Sequence, residues 1–265
     1  MIDAHCHPWD LLLKYAAAEE ERRKTGTAAA ASSWNLEQFE YHEGLALKAV
    51  SEAAPPLFCC FALHPQLSTE KDFSFSDGLK LLYDLAAEKR LDAVGETGFD
   101  LYSETYKNAE KIQDELFASH LELAQKYNLP LILHVRRAMH KIFPLAKELK
   151  KLPAVVFHSW SGTRGEGEAL LSRGINAFFS FGAAVVNNHK EAMISAAFFP
   201  SARLLFESDA PYQPLRGNSF SSWRDLSTIC QCIADLRKEA SSSCFLPEEL
   251  KEAVTANFFQ IFSVT

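Results

Sequence analysis

Short apolar runs alternate with longer amphipathic stretches along the whole chain, and this alternation restricts the fold more than any single motif. Strand-like runs fall at residues 2–7, 28–33, 57–63, 91–97, 131–135, 154–159, 176–181 and 204–208. Helical patterns fill the intervals at 35–52, 76–89, 108–127, 139–149, 165–173 and 188–198, and two more follow the last strand at 221–239 and 247–262. Eight strands, each followed by helix, predict an α/β fold of the (β/α)8 TIM-barrel type. A doubly wound open sheet is the structural alternative. The run 28–33 is the weakest strand, because its alanines have low strand preference. Segment 11–27 reads as a polar, charge-rich helix or loop without evident purpose. There is no internal repeat, linker or low-complexity tail, so residues 1–265 are expected to form one barrel domain.

The balance of 48% hydrophobic and 23% charged residues is that of an ordinary globular protein. A net charge of −7 leaves no basic footprint for tight binding to duplex nucleic acid. It leaves room for a polyanionic substrate, since divalent cations make a local site positive on an acidic protein. Cys6, Cys59, Cys60, Cys230, Cys232 and Cys244 show no zinc-finger spacing and read as reduced, buried thiols. No signal peptide is visible and no apolar run spans a membrane, so the expected location is the cytoplasm, with no membrane partner and no obligatory protein partner evident.

The chemistry begins at Asp3-Ala4-His5-Cys6-His7. On a strand, His5 and His7 share a face and can converge on one metal, with Asp3 orienting an imidazole from behind. A pair of hydrogen-bonded histidines is the plain alternative for this motif taken alone. Of nine histidines, five lie at the ends of predicted strands: His5, His7, His64, His134 and His158. Glu96 and Asp209 lie at two more such ends. In a βα barrel these ends meet at one mouth. Together they suggest two divalent ions held by nitrogen and oxygen donors, with zinc, magnesium and manganese all compatible.

Arg136 follows His134 by two residues and should also face the mouth, as a clamp on a phosphate oxygen or as the partner of a nearby carboxylate. Trp160, Tyr212 and Trp223 are candidate stacking surfaces for a base, each with a structural alternative. Glu207 is read as structural, facing away from the partners of Asp209. His42, His120, His140 and His189 are read as packing or surface residues. The run 19–24 is read as a solvated helix face, and Phe258, Phe259 and Phe262 as core packing.

At this point the chain resembles the TatD-type deoxyribonuclease family of amidohydrolase-like barrels. The resemblance runs through the opening Asp3 to His7 motif, Leu63-His64-Pro65, Gly95-Glu96-Thr97-Gly98-Phe99-Asp100 and Leu133-His134-Val135-Arg136. It continues through Phe157-His158-Ser159-Trp160-Ser161-Gly162, Glu207-Ser208-Asp209-Ala210-Pro211-Tyr212 and Asn257-Phe258-Phe259. It implies a (β/α)8 barrel and metal-dependent DNA hydrolysis. By this resemblance His5, His7 and Asp209 hold one metal, His134 and His158 hold a second, Glu96 bridges them, and His64 faces substrate. The departures concern surroundings rather than ligands. Ala62-Leu63 precedes the His-Pro pair in place of the usual glycine-valine, Arg137 stands where an acidic residue is common, and Ser159-Trp160 replaces a more usual Cys-Phe pair. The loop 213–218 looks shortened.

The expected reaction is attack on phosphorus by a metal-activated water, with Asp209 taking its proton, His64 contacting a phosphate oxygen or protonating the leaving group, and Arg136 holding another oxygen. Glu96, Asp209 and His64 are thus the catalytic candidates. The expected substrate is a phosphodiester, most simply short or single-stranded DNA trimmed by an exonuclease. Open alternatives are hydrolysis of a lactone, amide or ester, editing of misacylated nucleic acid, and a catalytically weak scaffold of the same fold.

Overall fold

A computed structural model describes residues 1–241 and 246–262. Eight parallel strands are paired strictly in sequence order, β1 to β8. They are β1 (Ile2–Cys6), β2 (Ala28–Ser33), β3 (Leu57–Phe61), β4 (Ala93–Asp100), β5 (Leu131–Arg136), β6 (Val155–Phe157), β7 (Ala177–Phe181) and β8 (Leu204–Phe206). Helices separate successive strands, as in a TIM barrel, and the open doubly wound sheet is excluded by this strand order.

The barrel closes at the β1–β8 edge through the residues that follow β8. Asp209 N–H donates to the His5 carbonyl at 3.0 Å, and His7 N–H donates to the Ala210 carbonyl at 2.8 Å. The Asp3 carboxylate joins the same seam, accepting from Ser208 N–H at 2.9 Å and from the Ser208 hydroxyl at 2.5 Å. Asp3 therefore fastens strand to strand rather than orienting an imidazole, as its sequence position had suggested. Burial pushes its carboxyl up to about 7, against the opposing effect of the Ser208 bonds.

The alanine-rich β2 forms with the boundaries expected. Every one of its residues is buried between β1 and β3, and pairing on both sides outweighs the weak local preference of alanine. Its alternation sends Ser32 toward His5 and Ser33 toward His42.

Other elements depart from the expected pattern for identifiable reasons. The stretch expected as one helix over 139–149 splits into Met139–Ile142, a 3-10 turn Phe143–Leu145, and Ala146–Leu149. Pro144 lacks the N–H that a continuous helix needs. Segment 11–27 contributes to two short helices, Pro8–Leu12 and Ala18–Lys24. The charge run within it is not wholly solvated. Arg22 is fully buried, donating to the carbonyls of Thr27 and Pro55 at 2.8 Å each and forming a two-pronged pair with Glu19 at 2.7 and 2.8 Å.

The core is rich in phenylalanine. Phe157, Phe178, Phe179, Phe181, Phe199 and Phe206 are almost completely buried, and burying one such ring contributes about 1.5–3 kcal/mol. Phe258 and Phe262 are buried and Phe259 partly so, as helical spacing predicts. The C-terminal helix Pro247–Phe262 is pinned to the start of β8 by Asn257, whose amide donates to the carbonyls of Ser201 and Leu204. Cys6, Cys59, Cys60, Cys230 and Cys232 are free thiols, and Cys244 lies outside the described residues. Among the described residues no helix is long and apolar enough to cross a membrane.

Candidate metal centre

All six residues assigned as ligands, together with His64, meet at the C-terminal mouth of the barrel. Glu96 is their common point. Its Oε1 lies 2.7 Å from His134 Nδ1, 2.9 Å from His158 Nε2 and 3.2 Å from His64 Nε2. Its Oε2 lies 3.1 Å from His5 Nε2 and 3.7 Å from His7 Nε2. Asp209 Oδ1 lies 3.5 Å from His7 Nε2 and 3.7 Å from His5 Nε2. Each oxygen of Glu96 thus has its own group of imidazoles.

Local backbone makes this possible. Strand pairing shifts register between Val94 and Thr97, where Glu96 projects into the barrel. Gly98, at φ +132°, lets β4 run hard against β5: a Cβ there would collide with the His134 carbonyl. Asp209 sits in left-handed backbone at φ +49°, in the turn that closes the barrel.

The imidazoles are also held from behind. His5 Nδ1 meets the Ser32 hydroxyl at 3.2 Å, His134 Nε2 meets Asp100 Oδ2 at 3.3 Å, and Glu207 Oε2 stands 3.4 Å from His158 Nδ1. Outer partners of this kind fix ring orientation and raise donor basicity at metal sites. Glu207 is accordingly not turned away. It lies just past the end of β8, where strand alternation no longer applies, and its carboxylate faces His158. Asp100, Ser32 and Gln213 were not recognised from sequence. Alternation from Glu96 through Gly98 to Asp100 carried the signal for the first. Gln213, whose amide donates to Asp209 Oδ2 at 2.7 Å, comes from an irregular loop and carried none.

Two further histidines support the mouth without entering it. His42, from helix Leu36–Ser51, accepts from Trp9 N–H and touches the Ser33 hydroxyl at 2.7 Å. His120, from helix Glu110–Tyr127, accepts from Leu63 N–H at 3.0 Å and touches the Thr97 hydroxyl. They are packing residues, as expected, and they brace the backbone next to His7, His64 and Glu96. Burial lowers His42 to about 3 and His120 to about 4, so both are neutral.

Electrostatics favour a bound cation. Burial would raise the Glu96 carboxyl, but His158, His64 and His5 hold it well below the usual carboxylate range. Burial would lower His158, but Glu96 and Glu207 hold it well above the usual imidazole range. Among the described residues neither Glu96 nor Asp209 pairs with a lysine or arginine, so the imidazoles provide the only compensating charge. Glu207 Oε1 is buried without a hydrogen-bond partner, and Oε2 has only the His158 Nδ1 approach at 3.4 Å. The donor atoms form overlapping groups within 4.8 Å: His5, His158 and Asp209; His5, His7 and Glu96; His64, Glu96 and His134. Nitrogen and carboxylate donors at this density fit divalent metal.

The site opens into a cavity of about 580 Å³, lined also by Asp10, Gln66 and Tyr212. Tyr212 is half exposed and stands edge-on to His7 at 5.2 Å. Trp160 and Trp223 are 3% and 2% exposed, which removes both as stacking surfaces. Trp160 instead packs on Phe157 and Phe179 and donates its indole N–H to Ser195. Arg136 reaches the mouth, half exposed, 4.0 Å from Asp100 Oδ2.

An eight-stranded parallel barrel with histidine and carboxylate donors at its C-terminal rim defines a TIM barrel with a candidate divalent-metal centre. Comparison with known proteins narrows this. The family described as TatD related DNase matches residues 2–263, and the chain belongs to that family. It is 31% identical over 222 residues to the uncharacterized metal-dependent hydrolase YcfH of Escherichia coli, covering 81% of this chain and 77% of that one. It is 29% identical over 159 residues to the 3'-5' ssDNA/RNA exonuclease TatD of Escherichia fergusonii. That match covers 60% of this chain and spans 59% of the exonuclease's length. The crystal structure of the TatD homologue YjjV of Escherichia coli superposes with a TM-score of 0.81 at 26% identity, covering 100% and 98% of the two chains.

Proposed function

We propose that this hydrolase cleaves phosphodiester bonds in short or single-stranded DNA as a two-metal exonuclease. The observation that carries the two-metal reading is the division of imidazoles between the two oxygens of Glu96. The exonuclease activity named for the Escherichia fergusonii relative supports a nucleic-acid substrate. His5, His7 and Asp209 would hold one ion, His134 and His158 the other, and Glu96 both.

Bound divalent ions supply charge stabilisation at the phosphoryl oxygens and acidity to the attacking water. Asp209 would take the water's proton, and the Gln213 amide, donating to its Oδ2 at 2.7 Å, would steady it. His64 meets the same Glu96 oxygen as His134 and His158, and its side chain, 21% exposed against 15% and 4%, is the most open of the three. That exposure suits contact with substrate, where His64 protonates the leaving oxygen. Arg136 offers a guanidinium to a second phosphate oxygen. His64→Ala should therefore keep its metal content and lose rate by about 100-fold, the scale of a general-acid contribution. Metal analysis beside kinetics checks this, and joint loss of metal and rate would make His64 a ligand.

The test of the activity is metal-loaded protein given end-labelled single-stranded DNA and RNA beside ester and lactone panels, with Asp209→Asn as the contamination control. Single-nucleotide products from DNA that vanish in the variant support the proposal. Turnover of a carbonyl substrate far above any nucleic-acid cleavage would overturn it.

A further inference from the structure

A second cavity, about 1010 Å³, lies beside the metal centre over the ends of β5, β6 and β7. The two cavities share His134, Arg136, His158 and Gln213, so they form one continuous trough. Their charge differs. The metal cavity sets Asp10, Glu70, Glu96 and Asp209 against Arg136 alone, whereas the second has Arg136, Arg137 and Lys190 against Glu166 and Glu191. Glu166 is already engaged as a helix cap, accepting from Thr163 N–H at 2.7 Å and from the Thr163 hydroxyl at 2.9 Å.

Of these cations only Arg136 has a carboxylate partner, Asp100 at 4.0 Å. Among the described residues neither Arg137 nor Lys190 is within 4.0 Å of an acidic side chain, and both are exposed. Arg137 turns out of β5 through left-handed backbone at φ +55° and places its guanidinium 4.5 Å from the centre of the Tyr102 ring. Arg136 approaches the same ring at 3.7 Å. Two guanidiniums on one half-exposed aromatic ring, on a protein of net charge −7, concentrate positive charge where burial does not require it. Planar cations beside an aromatic ring, along a groove that leads to a metal centre, are the elements that track a single-stranded nucleic-acid backbone and stack its bases.

We infer that this groove binds the nucleotides of a single strand next to the scissile phosphate, with Arg137 and Lys190 contacting backbone phosphates and Tyr102 with its guanidiniums offering a stacking platform. The inference rests on the nuclease reading of the metal centre. It separates the roles of neighbouring residues: Arg136 serves both cavities, whereas Arg137 and Lys190 serve only the groove.

The experiment measures binding of fluorescein-labelled dT3, dT12 and rU12 by anisotropy across 50–200 mM salt, using the full chain carrying Asp209→Asn so that no cleavage intervenes. The double variant Arg137→Gln/Lys190→Gln is compared with Lys24→Gln, a neutralisation outside either cavity. For single strands each lost phosphate contact lowers the slope of log K against log salt by about 0.7, so the double variant should lose roughly 1.4. The gain in affinity from dT3 to dT12 should shrink on the order of 10-fold, while Lys24→Gln keeps both slope and gain. Equal loss on dT12 and rU12 assigns the groove to the shared backbone, and loss on one alone assigns it to that sugar. An unchanged slope and length gain, in a protein that cuts single-stranded DNA before the Asp209 change, overturns the groove and leaves the nuclease reading intact. Failure of the unmodified enzyme to cut any strand, with turnover of carbonyl substrates, removes the reading itself.

Discussion

Glu96 gathers five imidazole nitrogens around its two oxygens. If it bridges two ions, Glu96→Ala should lower occupancy of both, and metal analysis of the purified variant should read well under half of the parent's content. Unchanged stoichiometry with an unchanged rate would remove Glu96 from the centre. The bracing histidines carry a different consequence. His42 and His120 are neutral in the fold, with values depressed by burial to about 3 and about 4. In the unfolded chain each takes a proton below about pH 6.5. The unfolded state therefore binds more protons between pH 6.5 and the folded values, and stability falls as pH drops through that window. By pH 5 the loss is about 2 kcal/mol for each residue. His42→Gln retains an acceptor for Trp9 N–H but does not titrate. In urea unfolding it should lose less stability than the parent between pH 7 and pH 5. An identical loss would show that His42 does not remain neutral.

At the scale of elements, the short helix Ala18–Lys24 matters through Arg22. It joins the helix to the approaches of β2 and β3 by capping the carbonyls of Thr27 and Pro55 while paired with Glu19. Removing one member of a buried pair strands the other and leaves the carbonyls unsatisfied, which costs about 3 kcal/mol or more. Arg22→Met should show that cost in denaturant unfolding, whereas Lys24→Met, on the exposed side of the same helix, should leave the unfolding midpoint unchanged within error. Equal, small effects would return Arg22 to the solvated face that its sequence context suggests. The charge run 19–24 looks uniform because charge is legible residue by residue and burial is not. Depth follows from where the helix lands against the barrel base.

For the whole molecule, the centre ties six strand ends together, so bound metal should couple to folding. Ligands that bind only the native state stabilise it in proportion to occupancy. Exhaustive chelation should abolish hydrolysis and lower the thermal midpoint, and a divalent ion should restore both. Full activity in a verified metal-free sample would overturn metal dependence. The fold and most of the centre were legible because their signals are local. Apolar runs mark strands, amphipathic stretches mark helices, and His5, His7, His64, Glu96, His134, His158 and Asp209 stand where those runs end. The outer partners were harder. Asp100 went unrecognised although alternation along β4 from Glu96 carried its signal, Glu207 lies past the end of β8 where alternation fails, and Ser32 required knowing that β2 lies beside β1. Gln213 depended on a loop without periodicity. The exposure of Trp160, Trp223 and Tyr212 was illegible, since one aromatic looks like another until neighbouring segments cover it. The sequence by itself determined that six of the eight strand ends carry the candidate donor residues to one rim, because periodicity and position are properties of neighbouring residues. Only the tertiary structure decided which carboxylate backs which imidazole, which aromatics are buried, and that Arg137 and Lys190 share a groove, because those relations join segments that meet only when the barrel closes.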